Sequence, residues 1–195
     1  MKHPVPLQPR TFAESLRELS EVLAACEFLE PTMTAVAAAI LKSLQQGGTL
    51  LTCGNGGSAA DALHLAQELV GRYLRERRAL PAICLCADTT ALTCIGNDYG
   101  YDQVFARGVE ALGKKGDVLV AFSTSGNSPN VLAAFASARR IGVTTVLVGG
   151  KDGGKAAAEC DFALIVPSNY IARIQEVHTL ILHQLLEAID SHDWK

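Results

Sequence analysis

From residue 48 onward, short and mainly apolar runs alternate with longer segments in which apolar residues recur every three or four positions. Runs of this continuous apolar kind are typical of strands covered on both faces of a parallel sheet. The pattern predicts five strands, at Thr49–Thr52, Ala82–Leu85, Val118–Phe122, Thr144–Val148 and Phe162–Val166.

The helical segments between and after these strands complete the pattern. They are Ser58–Leu74, Tyr101–Leu112, Asn130–Ile141, Lys155–Glu159 and Ile171–Ile189. Strands that alternate with helices form βαβ units with right-handed crossovers. We therefore predict an α/β fold with three layers, in which helices cover both faces of a five-stranded parallel sheet.

Two further helices precede the first strand. Thr11–Cys26 begins with Thr11 as an N-cap, and Thr32–Gln46 follows Pro31, a residue favoured in the first turn of a helix. We predict one domain over residues 1–195, with a two-helix N-terminal prefix at 1–47 and an α/β core at 48–190.

The composition narrows the function classes. The formal net charge of −3 gives no basic excess for nucleic acid or an anionic membrane, so neither is an expected partner. Only 19% of residues are charged, which suggests apolar surface hidden between subunits.

The chain has no run of about 18 apolar residues that would predict a membrane span, and Met1–Arg10 lacks an apolar signal core. We expect a cytoplasmic protein whose six cysteines are reduced core residues.

The loop Cys53–Ser58 joins the first core strand to a helix and is rich in glycine. Glycines let backbone N–H groups approach an anion, and a helix N-terminus adds partial positive charge. Ser58 is the predicted helix cap, with Asp61 three residues later. The alternatives are an ordinary tight turn or a dinucleotide site, since Gly54, Gly56 and Ala59 match GxGxxA; Asp88 meets the expected acidic position only loosely.

The loop Ser123–Ser128 carries four hydroxyl groups and a glycine before Pro129, at a predicted helix start. Hydroxyl and amide groups can hold a phosphate without a lysine. The chain has no GxxxxGK[ST] motif, which argues against hydrolysis of nucleoside triphosphates. A third polar stretch, Gly96–Gly100, is predicted to be a turn.

Ionisable groups on two helices could carry chemistry. His64 and Glu68 are four residues apart, so they share a helix face as a zinc pair, an acid–base pair or a surface ion pair. Gln175 and His183 lie two turns apart on a broadly common face, whereas His178 points elsewhere and is predicted to be structural. Four arginines in the segment 72–78 are predicted to lie at a solvated helix end.

Taken together, the motifs resemble the phosphoheptose isomerase family of sugar-isomerase (SIS) domain proteins. The resemblance covers residues 49–189 and rests on CGNGGSAADALH, Glu68, GNDYGYD, STSGNS, GGKDGGK and RIQEVHTLILH, in that order. It implies a homotetramer of SIS-type domains, with active sites built between subunits and one zinc ion per subunit, and no nucleotide cofactor. The implied reaction converts D-sedoheptulose 7-phosphate to D-glycero-D-manno-heptose 7-phosphate through an enediol, in bacterial heptose biosynthesis.

The resemblance also implies roles for individual residues. Glu68 and His183 match the catalytic acid–base pair, and the predicted metal ligands are His64, Glu68, Gln175 and His183. The predicted substrate-binding residues are Asn55, Gly56, Gly57, Ser58, Glu68, Asn97, Asp98, Ser123, Thr124, Ser125, Ser128 and Gln175.

Two points qualify the resemblance. Some relatives carry an aspartate three residues before the glutamine, where this chain has Ala172. The DnaA initiator-associating protein is a non-enzymatic scaffold of the same fold that lacks the glutamate and final histidine of the acid–base pair. Because this chain has both Glu68 and His183, the enzyme is the favoured interpretation.

Overall fold

The computed structural model describes residues 9–194, and these contain a five-stranded sheet. The strands are β1 (Leu50–Gly54), β2 (Ala82–Cys84), β3 (Val118–Ser123), β4 (Thr144–Gly150) and β5 (Phe162–Val166). Every neighbouring pair is parallel, in the order β2-β1-β3-β4-β5. The predicted parallel sheet is therefore confirmed, and each strand lies within about two residues of its predicted bounds.

Eight α-helices surround this sheet within the described residues. They are α1 (Phe12–Ala24), α2 (Glu30–Gln45), α3 (Gly57–Val70), α4 (Thr89–Tyr99), α5 (Val104–Leu112), α6 (Pro129–Ile141), α7 (Gly154–Glu159) and α8 (Ile171–Asp190). Short 3-10 turns at Glu27–Leu29 and Tyr101–Gln103 precede α2 and α5.

The sheet separates two apolar cores because successive strand residues face opposite sides. Leu50 belongs to the core under α2, α3 and α8, whereas Leu51 belongs to the core under α5 and α6. On β3 the same alternation places Phe122 in the first core and Ala121 in the second. The predicted three-layer architecture is confirmed.

Helix α1 forms the outermost part of the prefix. Its predicted cap is confirmed, because Thr11 Oγ1 accepts from Glu14 N at 3.2 Å and Thr11 N donates to Glu14 Oε2 at 2.7 Å. None of its residues is buried, and Phe12 is 79% exposed. The helix therefore presents apolar surface outward.

By length and composition alone, the stretch Phe12–Gln45 is long and apolar enough to cross a membrane. The core helices of soluble proteins share this length and composition. The stretch is divided at Glu27–Leu29, and its second half packs Val36, Ile40 and Leu44 into the core. Residues 1–8, which hold most of the N-terminal segment considered above, lie outside the described residues.

Helix α4 is the one described helix that the apolar pattern does not predict. Its last part contains Gly96, Asn97 and Asp98, which are residue types typical of turns, so the sequence pattern indicated a turn there. Asp88 is its N-cap, with Oδ1 accepting from Ala91 N at 2.9 Å. The prediction of a turn at Gly96–Gly100 is wrong, since residues 96–99 form the last turn of α4.

The cysteines are all free thiols, as predicted. Cys53 and Cys84 are buried, and burial raises the pKa of the Cys53 thiol. Cys94 differs from the prediction of core placement because it is exposed on α4.

Candidate active site

Two of the predicted loops meet at the carboxyl edge of the sheet. The first loop, Cys53–Ser58, follows β1, and the hydroxyl loop, Ser123–Ser128, follows β3, which is the neighbour of β1. They enclose a cavity of about 80 Å³, which we call the cradle, lined by Asn55, Ser58, Phe122, Ser123, Thr124, Ser125 and Ser128. No lysine or arginine from the described residues lines it. The cradle is polar and of a size that suits a phosphoryl group.

The first loop opens α3 one residue earlier than predicted. Gly56 has φ 58° and ψ −122°, a backbone conformation that glycine adopts without strain, and α3 begins at Gly57. The prediction that Ser58 caps this helix is therefore wrong, because Ser58 is its second residue. No side chain caps the N-terminus of α3, but Ser58 N and Ala59 N already donate to Asn55 O at 3.1 Å and to Gly56 O at 3.0 Å. Among these first residues of the helix, the N–H of Gly57 has no hydrogen bond within the described residues and is available to an anion.

The side chain of Asn55 is fixed by two residues that the sequence analysis does not identify. Asn55 Nδ2 donates to Asn130 Oδ1 at 2.9 Å, and Asn130 Nδ2 donates back to Asn55 Oδ1 at 2.9 Å. The hydroxyl of Tyr101 also donates to Asn55 Oδ1, at 3.1 Å. Asn55 therefore faces the cradle in one fixed orientation, with one amide N–H left to donate.

The hydroxyl loop is organised by its own serines. Ser123 Oγ accepts from Gly126 N at 3.2 Å and lies 3.4 Å from Ser128 Oγ, while Ser125 Oγ accepts from Asn127 N at 3.3 Å. Ser128 precedes α6 as its N-cap residue, yet its hydroxyl makes no capping hydrogen bond. That hydroxyl is therefore available to a ligand at the helix N-terminus.

The hydroxyl loop packs against the GGKDGGK segment, Gly149–Lys155, and is hydrogen-bonded to it. Gly126 has φ +60°, and a Cβ there would lie 1.8 Å from Gly153 O. Ala156 N donates to Gly126 O at 2.9 Å, and Lys155 N donates to Asn127 Oδ1 at 3.2 Å. The cradle thus depends on two segments packed backbone against backbone.

A polar seam runs between α3 and α8, which lie side by side in the same direction. At the N-terminal end of both helices, the side chain of Gln175 lies against Gly57. A Cβ atom added at Gly57 would be only 2.3 Å from Gln175 Nε2. One turn on, Thr179 Oγ1 donates to Asp61 Oδ1 at 3.3 Å. Burial raises the pKa of Asp61. Beside this seam is an open cavity of about 320 Å³, lined by Gly57, Asp61, Ala172, Gln175, Glu176 and Thr179.

The predicted acid–base residues lie further along the seam. The rings of His64 and His183 meet edge to face, with centroids 5.2 Å apart. His64 Nε2 is 3.5 Å from Glu68 Oε1, which also accepts from Gln67 Nε2 at 2.7 Å. The Glu68 side chain is 19% exposed, so this cluster is accessible to a partner or a substrate.

The four predicted zinc ligands do not converge within one chain. His64, Glu68 and His183 are neighbours, but Gln175 contacts Gly57 and lies about 12 Å from His183 along α8. Among residues 9–194, no group of three or more His, Cys, Asp or Glu side chains is arranged to hold a metal ion. The donor types suit zinc, whereas their arrangement in a single chain does not.

Asn97 and Asp98 lie at the exposed end of α4, where Asn97 Nδ2 donates to Asp98 Oδ1 at 2.7 Å. Neither residue lines the cradle.

The dinucleotide alternative requires an acidic residue that is free to bind a ribose. The Asp88 carboxylate instead caps α4.

The arginine segment differs from its prediction. Helix α3 ends at Val70, so the four arginines follow the helix rather than form its last turn. Arg77 is buried, with its side chain 3% exposed and its Nε 2.8 Å from Asp190 Oδ1. A solvated helix end is therefore the wrong description of Arg77.

His178 is structural, as predicted. It is fully buried, with Nε2 3.0 Å from Gly149 O. Burial lowers the pKa of His178 from 6.5 to about 4, so the ring is neutral at pH 7 and Nε2–H donates to the carbonyl.

Comparison with known proteins agrees with the residue patterns. Residues 12–150 match the family model described as SIS domain. The phosphoheptose isomerase of Aliarcobacter butzleri is 56% identical over 151 residues, which are 77% of this chain and 80% of that protein. The phosphoheptose isomerase of Campylobacter concisus is 47% identical over 190 residues, which are 97% and 95% of the two chains.

A solved structure of phosphoheptose isomerase from Neisseria gonorrhoeae superimposes with a TM-score of 0.88 at 44% identity, covering 92% of this chain and 97% of that one. The fold is thus shared with this solved structure. The chain belongs to the phosphoheptose isomerase family of SIS-domain proteins.

Proposed function

We propose that this enzyme is an aldose–ketose isomerase that converts D-sedoheptulose 7-phosphate to D-glycero-D-manno-heptose 7-phosphate in bacterial heptose biosynthesis. The observation that carries the proposal is the hydroxyl-lined cradle at the carboxyl ends of β1 and β3, in a chain 44–56% identical to the three phosphoheptose isomerases named in the comparison. No nucleotide cofactor and no nucleic acid takes part, and the enzyme acts in the cytoplasm.

The cradle holds the phosphate of the substrate. The backbone N–H of Gly57 and the hydroxyls of Thr124, Ser125 and Ser128 supply the donors. A phosphate bound at two helix N-termini is also favoured by the helix dipoles. Binding at this end leaves the energy of the phosphate contacts available to orient the reacting carbons.

Proton transfer is assigned to Glu68 and His183. The Glu68 carboxylate removes a proton from C1 of the ketose, and His183 donates a proton to the C2 carbonyl oxygen, which gives an enediol. Return of a proton to C2 and loss of the proton from the C1 hydroxyl then form the aldose. Neither side chain lines the cradle, so phosphate binding and proton transfer are performed by separate groups.

The separation between these groups supports a site shared by two subunits of a homotetramer. Glu68 lies eleven residues after Gly57, or roughly 16 Å along α3. The seven bonds from C2 of the sugar to phosphorus span less than about 11 Å at roughly 1.5 Å per bond. A cradle from one chain and an acid–base pair from another would bring both ends of the substrate within reach.

The same assembly is needed for the expected zinc ion. His64, Glu68 and His183 of one chain would need Gln175 from another, because Gln175 of the same chain lies against Gly57. A bound zinc ion would polarise the substrate carbonyl as a Lewis acid. Because the four ligands do not meet within one chain, the proton transfers assigned to Glu68 and His183 are written without the metal.

The test is to incubate the purified enzyme with D-sedoheptulose 7-phosphate and follow aldose formation. We expect turnover with this ketose and almost none with unphosphorylated sedoheptulose, which lacks the group that the cradle binds. Equal turnover of the two sugars, or none of either, would contradict the proposal. Titration with NAD(H) in a calorimeter is the companion experiment, and it should show no binding.

A further inference from the structure

The imidazole of His183 contacts two other rings. His64 meets it edge to face at 85°, and Tyr73 stacks on it at 19° with ring centroids 5.8 Å apart. This is the offset arrangement that aromatic pairs prefer. His64 and His183 lie on helices, whereas Tyr73 lies in the loop that follows α3. The orientation of His183 therefore depends partly on a loop residue.

That loop is held by a buried ion pair. Asp190 Oδ1 pairs with Arg77 Nε at 2.8 Å, and Asp190 Oδ2 accepts from Leu74 N at 2.8 Å. Arg77 also donates to the carbonyl of Glu68 at 2.8 Å and to that of Leu69 at 3.0 Å. One side chain thus ties the end of α3, just at Glu68, to the loop that carries Tyr73.

We propose that Tyr73 is a positioning residue, whose stacked ring holds the imidazole of His183 in the orientation needed for proton donation. The inference rests on the proposed function, because it assigns a support to the acid named there. The Arg77–Asp190 pair then contributes to catalysis as well as to stability, because the pair fixes the loop from which Tyr73 reaches His183. The hydroxyl of Tyr73 has no part in this role.

Two variants separate the ring from its hydroxyl. Tyr73→Phe keeps the stack and should retain kcat within about twofold, whereas Tyr73→Leu should lower kcat by about 10²-fold, the loss that a misplaced catalytic group causes. KM should change little in both, because the phosphate is bound at the cradle. Tyr170→Leu is the matched control, since Tyr170 stacks on Arg10 at the other end of α8.

The results that would contradict the positioning role of Tyr73 differ from those that would contradict the proposed function. If the unaltered enzyme fails to isomerise the substrate, the proposed function is wrong. If it is active and Tyr73→Leu matches it in kcat, the positioning role is wrong. Equal losses in Tyr73→Phe and Tyr73→Leu would also overturn it, because the hydroxyl would then be the part that matters. Melting temperatures of the variants separate a specific loss of kcat from unfolding.

Discussion

Glu68 is placed by neighbours on its own helix. Its Oε1 accepts from Gln67 Nε2 at 2.7 Å and faces His64 Nε2 at 3.5 Å. A carboxylate held on a helix can be kept within the narrow geometry that proton transfer requires. His183 is also constrained, by the ring of His64, which meets it edge to face, and by the stacked ring of Tyr73.

Glu68→Gln and His183→Gln test the acid–base pair. Each exchange keeps the approximate shape and removes the proton-transfer group, so kcat should fall by about 10²–10⁴-fold while KM changes little. Steady-state kinetics measure both values. Deuterium from solvent should appear at C2 of the aldose, and complete retention of the C1 hydrogen would instead indicate a hydride shift.

His178 makes folding stability depend on pH. Its pKa is lowered to about 4 in the folded chain from 6.5, so the unfolded chain binds the extra proton between these values. Stability is therefore retained above pH 6.5 and should fall by about 3 kcal/mol as the pH drops to 4, at 1.36 kcal/mol per pKa unit. Urea unfolding of His178→Gln should show a smaller decrease over this range. His192→Gln, at an exposed position, should leave the decrease unchanged.

At the scale of elements, the strands could be predicted because each is a short apolar run bounded by polar or glycine residues. Helix α4 was not predicted because Gly96, Asn97 and Asp98, in its last part, are typical of turns; Asp88 before Thr89 was the available signal, as an N-cap. The two halves of the cradle were predictable from their glycines and hydroxyls. The Asn55–Asn130 pair was not, because it joins residues 75 apart in the chain.

The contact between the hydroxyl loop and the GGKDGGK segment can be tested with one methyl group. In Gly126→Ala the new Cβ would lie 1.8 Å from Gly153 O, so the loop must move and KM for the sugar phosphate should rise at least tenfold. Gly116→Ala is the matched control. Gly116 also has a positive φ, of +95°, but a Cβ there meets nothing within 4 Å.

Both alanines carry the strain of a positive φ, of about 1 kcal/mol. Gly126→Ala adds the clash with the backbone of Gly153, so its melting temperature should decrease more than that of Gly116→Ala. Only the residue 126 variant should lose affinity for inorganic phosphate, as measured by competitive inhibition. Equal kinetics in the two variants would mean that the cradle does not depend on this contact.

At the scale of the whole molecule, apolar side chains remain on the surface of the single chain. Phe12 is 79% exposed, Phe28 62% and Leu180 45%, and these lie on or beside α1, α2 and α8. A surface of this kind is typical of chains that associate. It supports a homotetramer formed through helices, in agreement with the divided site.

Mixed oligomers test whether sites are shared. A Glu68→Gln chain retains a functional cradle, and a Thr124→Val, Ser125→Ala chain retains the acid–base pair. Each variant alone should be nearly inactive. If each site takes its cradle from one subunit and its acid–base pair from another, and if the chains assemble at random, co-expression should restore activity to about a quarter of the sites. Activity no higher than the sum of the separate variants would show that each chain holds a whole site.

The position of α8 has a consequence for the order of events during synthesis. This helix is the last element of the described chain, yet it packs against α2 and α3 and buries ten of its residues. While the ribosome is still making residues 171–190, the parts of α2, α3, β4 and β5 that contact α8 are uncovered. The core on this side of the sheet can therefore be completed only after translation has passed α8.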